Sequence, residues 1–376
     1  MPWKARNTVS LREEFVRLAS QADRNMTQLC ERFGIARNTG YKWLRRFSAA
    51  PTAALQDRSR RPHLSPEKTS ADMEAAVVAA RKKHPVWGGR KLRCVLQREH
   101  QTGVPAKSTI TDILHRHGLI AAVESQKRGA FERFERAAPN ELWQMDFKGH
   151  FATDEARCHP LTVLDDHSRY AVGLIACDNE RTETVKQCLT GVFRRHGVPQ
   201  AMLCDNGPPW GTAGAEERHT ELTVWLMQVG VKILHGRPCH PQTQGKDERF
   251  HRTLRNEVLW DRFHGLADCQ TRFDGWSYEY NWVRPHEALG MKVPGDRYRP
   301  SERTFPEVLP RAEYGPNQMV RKVDSSGSIS AWNESWKIGK AFVGQRVALE
   351  PSEEDGVWNV LFHGLLAKKL DRRSVQ

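Results

Sequence analysis

Four short stretches decide the fold: WQMDF at 143–147, HPLTVLDD at 159–166, RYAVGLIAC at 169–177 and QAMLCD at 200–205. Each is short, apolar and rich in β-formers, and the turn DDHSR (165–169) joins the second to the third. The first three therefore predict an antiparallel meander. Between the third and fourth lies ETVKQCLTGVFRRHG (183–197), whose apolar residues recur at helical spacing. A further helix (TELTVWLMQVG, 220–230), a fifth strand (VKILHG, 231–236) and a third helix (QTQGKDERFHRTLRNEVL, 242–259) follow. Three antiparallel strands and then alternating helix and strand describe a mixed five-stranded sheet with helices on its faces.

Within that frame three carboxylates stand out. Asp146 interrupts the apolar first strand, Asp205 ends the fourth, and Glu248 sits on the first turns of the third helix. A crossover after the meander sets strand four beside strand one, and hence Asp205 beside Asp146. A helix laid across the sheet can bring Glu248 over both. An Asp inside an apolar strand is rarely accidental, because burying an unpaired charge is costly. Three clustered carboxylates repel one another unless divalent cations neutralise them, and Mg²⁺ suits such oxygen donors. Two ions so held can clamp the attacking and leaving oxygens of a phosphodiester. Taken singly, Asp205 is equally a turn residue before Asn206-Gly207, and Glu248 a solvated helix residue. Asp165 and Asp166 compete for the metal, but their place in a hairpin turn favours a turn role. On the Glu248 helix, Lys246, Arg249, Arg252 and Arg255 could hold DNA phosphates.

The chain upstream is different in kind. Of 376 residues carrying a net charge of +13, residues 1–138 contribute 27 Lys/Arg against 13 Asp/Glu. The positive excess is therefore confined to the first third, which fits a polyanionic partner, most simply nucleic acid. SLREEFVRLA (10–19) places Leu11, Phe15 and Leu18 on one stripe, Thr27 can cap TQLCERF, and RNTGYKWLRRF (37–47) turns Tyr41 and Leu44 inward. Helix, glycine-containing turn, helix is the helix-turn-helix pattern, whose second helix offers its first residues to base edges. Here those are Arg37, Asn38, Thr39 and Lys42. After a basic link, Ser65-Pro66-Glu67 starts a helix running to about Lys83, Trp87-Gly88-Gly89 breaks the chain, and 108–120 form a second reading helix. Its candidate readers are Lys107, Ser108 and Thr111, while Trp87 is expected in the core.

The divisions are 1–58 and 59–120 (two helix-turn-helix domains), 121–138 (linker), 139–290 (the α/β core), 291–316 (a Pro-, Arg- and Glu-rich linker without core pattern) and 317–376. The last segment holds six short strands with tight turns and reads as a small β-barrel. Eight cysteines are scattered without a C-x-x-C pair, which gives no zinc ribbon or thioredoxin-type site; Cys239-His240 lacks a second ligand pair. No apolar run is long enough to span a membrane and the N-terminus has no apolar signal-like region, so a cytoplasmic protein is expected.

The succession WQMDF, LDDHSR, CDNGPPWG, HPQTQGKDERFHRTLR and YNWVRPHEAL resembles the DDE transposases of bacterial insertion sequences, which share a catalytic core with retroviral integrases. The resemblance runs over roughly residues 8–375. It implies an RNase H-like core in which Asp146, Asp205 and Glu248 bind two Mg²⁺ (or Mn²⁺), with Arg255 as the basic residue seven positions after the Glu. It implies metal-dependent cleavage of DNA at terminal inverted repeats, then strand transfer by the freed 3′-OH without a covalent protein intermediate. It also implies at least a dimer on DNA, in a nucleoid-associated setting. Asp205 and Glu248 stand 43 apart, wider than usual in this group, and the excess falls around GTAGAEERH (211–219). The His/Cys zinc module of retroviral integrases has no counterpart. Two rivals share features: an RNase H-like nuclease without strand transfer, which needs no pair of DNA-reading units, and a non-catalytic regulator, which predicts a lost carboxylate.

Overall fold

The computed structural model describes residues 8–50, 55–57, 68–100, 102–120, 135–211, 219–236, 245–316 and 318–375. They fall into two compact units, 1–68 and 69–376.

The first unit packs α1 (Thr8–Ala19), α2 (Met26–Arg32) and α3 (Arg37–Ala49) around Phe15, Val16, Ala19, Met26, Cys30, Trp43 and Leu55. Its details correct three expectations. Asn25, not Thr27, caps α2, accepting from the backbone N–H groups of Thr27 and Gln28 at 3.1 and 3.2 Å. Leu11 is exposed; the inward face of α1 is Phe15, Val16 and Ala19. Tyr41 is also exposed, because α3 turns Gly40 and Trp43 inward. The Arg12 guanidinium lies 4.0 Å from the Trp43 ring and bonds Leu55 O and Asp57, which fastens the segment after α3 to α1.

The second unit begins with α4 (Ala71–Lys83), α5 (Gly89–His100) and α6 (Lys107–Arg116). The expected start at Ser65-Pro66 lies outside the described residues; α4 is capped by Ser70. Trp87, Leu92, Leu96, Ile110, Ile113 and Leu114 fill this bundle's core, as expected for Trp87.

The sheet has the strands β1 (Trp143–Phe147), β2 (Phe151–Ala152), β3 (Arg157–Asp165), β4 (Ala171–Cys177), β5 (Ala201–Cys204) and β6 (Lys232–His235). Short β2 pairs β3 beyond β1, so it prolongs the first strand rather than adding a layer. The order β4-β3-β1-β5-β6 has antiparallel pairs on the β4 side and parallel pairs on the β6 side. The predicted meander and crossover are both present. α7 (Thr182–His196) and α8 (Glu221–Gln228) cover one face over Trp143, Met145, Leu161, Val163 and Met202. α9 (Gly245–Glu257) and α10 (Leu266–Trp282) cover the other, through Phe250, Leu254, Phe273 and Trp276 against Leu164 and Leu174.

Two expectations about the later chain change. Residues 291–316 are not without core contacts: Tyr298 stacks on Tyr170 at 4.1 Å, Phe305 packs on Phe193 and Trp225, and Arg303 donates to Pro199 O and Gly230 O. Few apolar residues, widely spaced, are enough when each fills one hole in an existing surface. The C-terminal strands β7 (Met319–Lys322), β8 (Ser328–Ala331), β9 (Glu334–Lys337), β10 (Arg346–Pro351), β11 (Val357–Phe362) and β12 (Leu365–Asp371) do not close into a barrel among the described residues. They form a four-stranded sheet, β12-β11-β10-β7, and a β8-β9 hairpin. Both face one core of Ile329, Trp336, Val347, Leu349, Val360 and Phe362, which also takes in Val224 and Met227 of α8.

Candidate active site

The parallel pairing of β1 and β5 builds the site. Trp143 is opposite Met202 and Gln144 opposite Leu203. Continued by two residues, that register sets Asp146 opposite Asp205 at the carboxyl ends of adjacent parallel strands, where open α/β sheets place their ligands. The Asp146 carboxyl is pushed up to about 6, first by burial and then by the charge of Asp205. Asp205 is exposed, and its Oδ1 accepts from Asn206 N at 2.7 Å. Cys204, the residue before Asp205, is fully buried; burial raises its thiol, with Asp146, Asp247 and Asp205 adding to the effect.

α9 presents a different carboxylate from the expected one. Asp247 is buried, held well above the ordinary carboxylate range by burial and by the charges of Asp146 and Asp166, and its Oδ1 has no hydrogen-bond partner among the described residues. Glu248 is exposed, one residue further round the helix. Among the described residues no contact joins Glu248 to Asp146 or Asp205, and no three His, Cys, Asp or Glu side chains close on a common metal position. The physical reason is helix phase: Asp247, Phe250 and Leu254 form the inward face of α9, which leaves Glu248 on its flank.

His251, four residues after Asp247, lies on the same inward face. The Thr162 hydroxyl donates to Asp146 O at 2.8 Å and so accepts from His251 Nε2, also at 2.8 Å. That leaves Nδ1 without its proton, 3.9 Å from Asp146 Oδ2. Burial, helped by Lys148, lowers the imidazole to about 4, so it is neutral at physiological pH. Neither Asp247 nor His251 was singled out in the sequence. The spacing of Asp247, Phe250, His251 and Leu254 on one helical face was the available signal.

The basic residues separate into two kinds. Lys246, expected on phosphate, is paired with Asp166, which also accepts from Gln144 Nε2 at 2.7 Å and from Arg136 N at 2.9 Å. The pair ties the first turn of α9 to the β3–β4 turn. Asp165 keeps the expected turn role, accepting from Asn140 N and Ser168 N at 2.8 Å each. Arg249, Arg252 and Arg255 are exposed along α9. At the other candidate sites Arg37, Asn38 and Lys42 are exposed on α3 with Thr39 half-buried, and Lys107 and Ser108 are exposed at the start of α6. Thr111 turns its hydroxyl back to Lys107 O at 2.9 Å.

The donor set at the strand ends is all carboxylate oxygen, crowded enough to raise Asp146 and to leave Asp247 Oδ1 unpartnered. The charges of Lys148 and Lys246 offset this only in part, and a hard divalent cation fits the set.

Family models match along the chain: an integrase core domain over residues 136–241 and again over 229–294, and the C-terminal domain of the IS481 family transposases over 318–375. Upstream, a helix-turn-helix domain matches 11–63 and a homeodomain-like domain 39–114. The chain is an insertion-sequence transposase with an integrase core. As such it is a polynucleotidyl transferase acting on DNA. It is 27% identical over 237 residues to an uncharacterized 31.7 kDa protein of insertion element IS407 from Burkholderia multivorans, spanning 61% of this chain and 82% of that one. It is 24% identical over 215 residues to the transposase of insertion sequence element IS904 from Lactococcus lactis, spanning 52% of this chain and 82% of that one. Among solved structures, the HTLV-2 integrase catalytic core domain in complex with magnesium aligns at 16% identity and a TM-score of 0.33, spanning 43% of this chain and 97% of that one. No described helix of this transposase is long and apolar enough to cross a membrane.

Proposed function

We propose that this transposase binds the terminal inverted repeats of its element and cuts and joins DNA with Asp146, Asp205 and Glu248 as metal ligands. The observation that carries the reading is the register that sets Asp146 opposite Asp205, with the Asp146 carboxyl raised to about 6 by burial and by its neighbour. Two carboxylates held this close favour a cation between them. Glu248 completes the set by a small rotation or shift of the first turn of α9 when metal and DNA bind. Mg²⁺, or Mn²⁺ in its place, as two ions, would supply polarisation of the scissile phosphate and stabilise the developing charge.

The chain's own residues do the rest. Asp146 and Asp205 hold the reacting centre at the strand ends. Thr162 and neutral His251 brace the β1 backbone at Asp146 without adding charge. Arg249, Arg252 and Arg255 line α9 for phosphates, and Lys246 holds the helix to the sheet rather than DNA to the helix. Arg37, Asn38, Thr39 and Lys42 on α3, and Lys107, Ser108 and Thr111 on α6, read the repeats. The domain divisions drawn from the sequence serve this scheme as a first helix-turn-helix, a second one, the core and a C-terminal module. Two ends must be joined, so at least a dimer assembles on DNA, in the bacterial nucleoid.

The test is Asp146→Asn, Asp205→Asn and Glu248→Gln, each assayed for end binding, cleavage and strand transfer. Every variant should bind ends and lose both reactions, because metal ligation needs charge rather than shape. Wild-type strand transfer by any of the three removes that residue from the site.

A further inference from the structure

The far end of α9 carries a second buried carboxylate. Glu257, nine residues after Glu248, has a side chain only 10% exposed. It collects donors from three places. Trp87 Nε1 donates to Oε1 at 3.1 Å, Trp276 Nε1 donates to Oε2 at 2.9 Å, and the nearly buried Arg284 guanidinium pairs with Oε1. Trp87 belongs to the turn between α4 and α5, whereas Trp276 lies on α10. One side chain therefore fastens the α4–α6 bundle to the helix that carries Glu248.

The fastening is reinforced around Trp87. His84 stacks on its ring at 3.8 Å and 8°, while His84 Nδ1 lies 2.8 Å from Glu279 Oε1 on α10. Arg284 covers the ring at 5.5 Å, and Val283 packs against the bundle's core. Arg90 reaches Glu287 at 3.3 Å. From Trp87 the rigidity passes on to α6: a Cβ at Gly89 would lie 2.7 Å from both Lys107 O and Thr111 Oγ1, so the two helix starts touch. An indole N–H buried against a carboxylate has no water to replace that partner, so the geometry is held rather than merely allowed.

We infer that Glu257 is a positioning residue: it locks the α4–α6 bundle to α9, so that DNA read by α6 meets the Glu248 end at one fixed distance. Glu257 and Glu248 are separated by nine residues, about 14 Å along a helix, or the rise of roughly four base pairs. The lock thus makes the position of the cut a property of the protein rather than of the DNA. The inference rests on the proposed function and on α6 as a reading helix.

The experiment uses the full chain and end-labelled duplexes taken from the DNA flanking its reading frame. Trp87→Phe keeps the ring on His84 and removes the donor; Glu257→Gln removes the charge under Arg284. The cut is mapped to the nucleotide, beside duplex affinity and a melting curve. Both variants should keep affinity within about twofold, cut at several neighbouring phosphodiesters, and lose about tenfold or more in rate at the wild-type position. If Glu257→Gln does not fold, Trp87→Phe decides alone. A lowered melting temperature with one unshifted cut would reduce Glu257 to a structural role and overturn the inference. A wild-type protein that binds these duplexes and cuts none overturns the proposed function first, and the positioning role with it.

Discussion

Asp146 is a carboxylate at odds with its surroundings until a cation arrives. Its folded value of about 6 stands above the ordinary 3.8. The folded protein therefore takes up a proton near pH 6 that the unfolded chain refuses until about pH 4. Ionised Asp146 costs stability above pH 6, and the cost fades as pH falls towards 4. Asp146→Asn should stabilise the metal-free protein at pH 7.5 by roughly 1 kcal/mol after allowance for solvent screening. The gain over wild type should shrink at pH 4.5, and Mg²⁺ should raise the melting temperature of wild type but not of the variant. Equal melting curves for the two proteins at both pH values would deny the repulsion. Arg255 makes the opposite case, an exposed side chain whose loss should not touch folding. Arg255→Ala should leave the melting curve in place yet slow cleavage and joining by on the order of a hundredfold, and Arg255→Lys should recover part of that. Wild-type rates for Arg255→Ala on pre-cut and uncut ends would return it to a solvated helix face. At this scale Asp146 and Asp205 were readable because a charge inside an apolar strand, or closing one, breaks a pattern. Asp247 was not, since it neighbours Glu248 in a highly charged helix. Only the phase set by Phe250 and Leu254 against the sheet shows which of the two turns inward.

Elements were legible where periodicity is strong and blurred where packing chose between similar faces. All five main strands and the crossover followed from apolar runs and turns. On α3 the sequence offered Tyr41 and Leu44 as the inward pair, but the helix seats Gly40 against α1 and α2. A Cβ at Gly40 would lie 2.7 Å from Cys30 Sγ and 2.9 Å from Phe15 Cζ. The smallest residue thus marks the closest helix approach, which a hydrophobicity pattern cannot see because glycine has no apolar side chain to count. Gly40→Ala should cost about 1–3 kcal/mol through overpacking and lower the melting temperature of a 1–68 fragment by on the order of 10 °C. An unchanged melting temperature would mean that α3 sits further from α1 and α2 than described. The packing of Tyr298 and Phe305 was hidden for another reason: their ring partners Tyr170, Phe193 and Trp225 lie 80 or more residues away in sequence.

The whole molecule divides at residue 68, well before residue 138, where the positive excess ends. The compact units meet at residue 68, and the α4–α6 bundle sits with the sheet through Glu257 and Trp87. Composition could place the positive charge in residues 1–138 but could not separate a bundle that stands alone from one anchored to α9 and α10 around a buried carboxylate. The consequence for DNA binding is specific. Residues 1–68 carry 14 Lys/Arg against 6 Asp/Glu and have their own core of Phe15, Met26, Cys30 and Trp43. A 1–68 fragment should therefore fold and bind DNA unaided, with affinity falling steeply as salt rises, because phosphate contacts release counterions. Within it, Arg37→Ala with Lys42→Ala should remove most of the preference for element ends over random duplex, since both are exposed at the start of α3. A longer fragment ending at 138 should fare worse than its size suggests. It exposes Trp87 and leaves its indole N–H without the Glu257 acceptor, so it should aggregate or melt earlier than the full chain. The measurement is salt-dependent binding of both fragments to end and random duplexes beside their melting curves. A 1–68 fragment that folds but binds both duplexes alike would move end recognition to α6. A stable, monomeric 1–138 fragment would show that the bundle does not depend on Glu257.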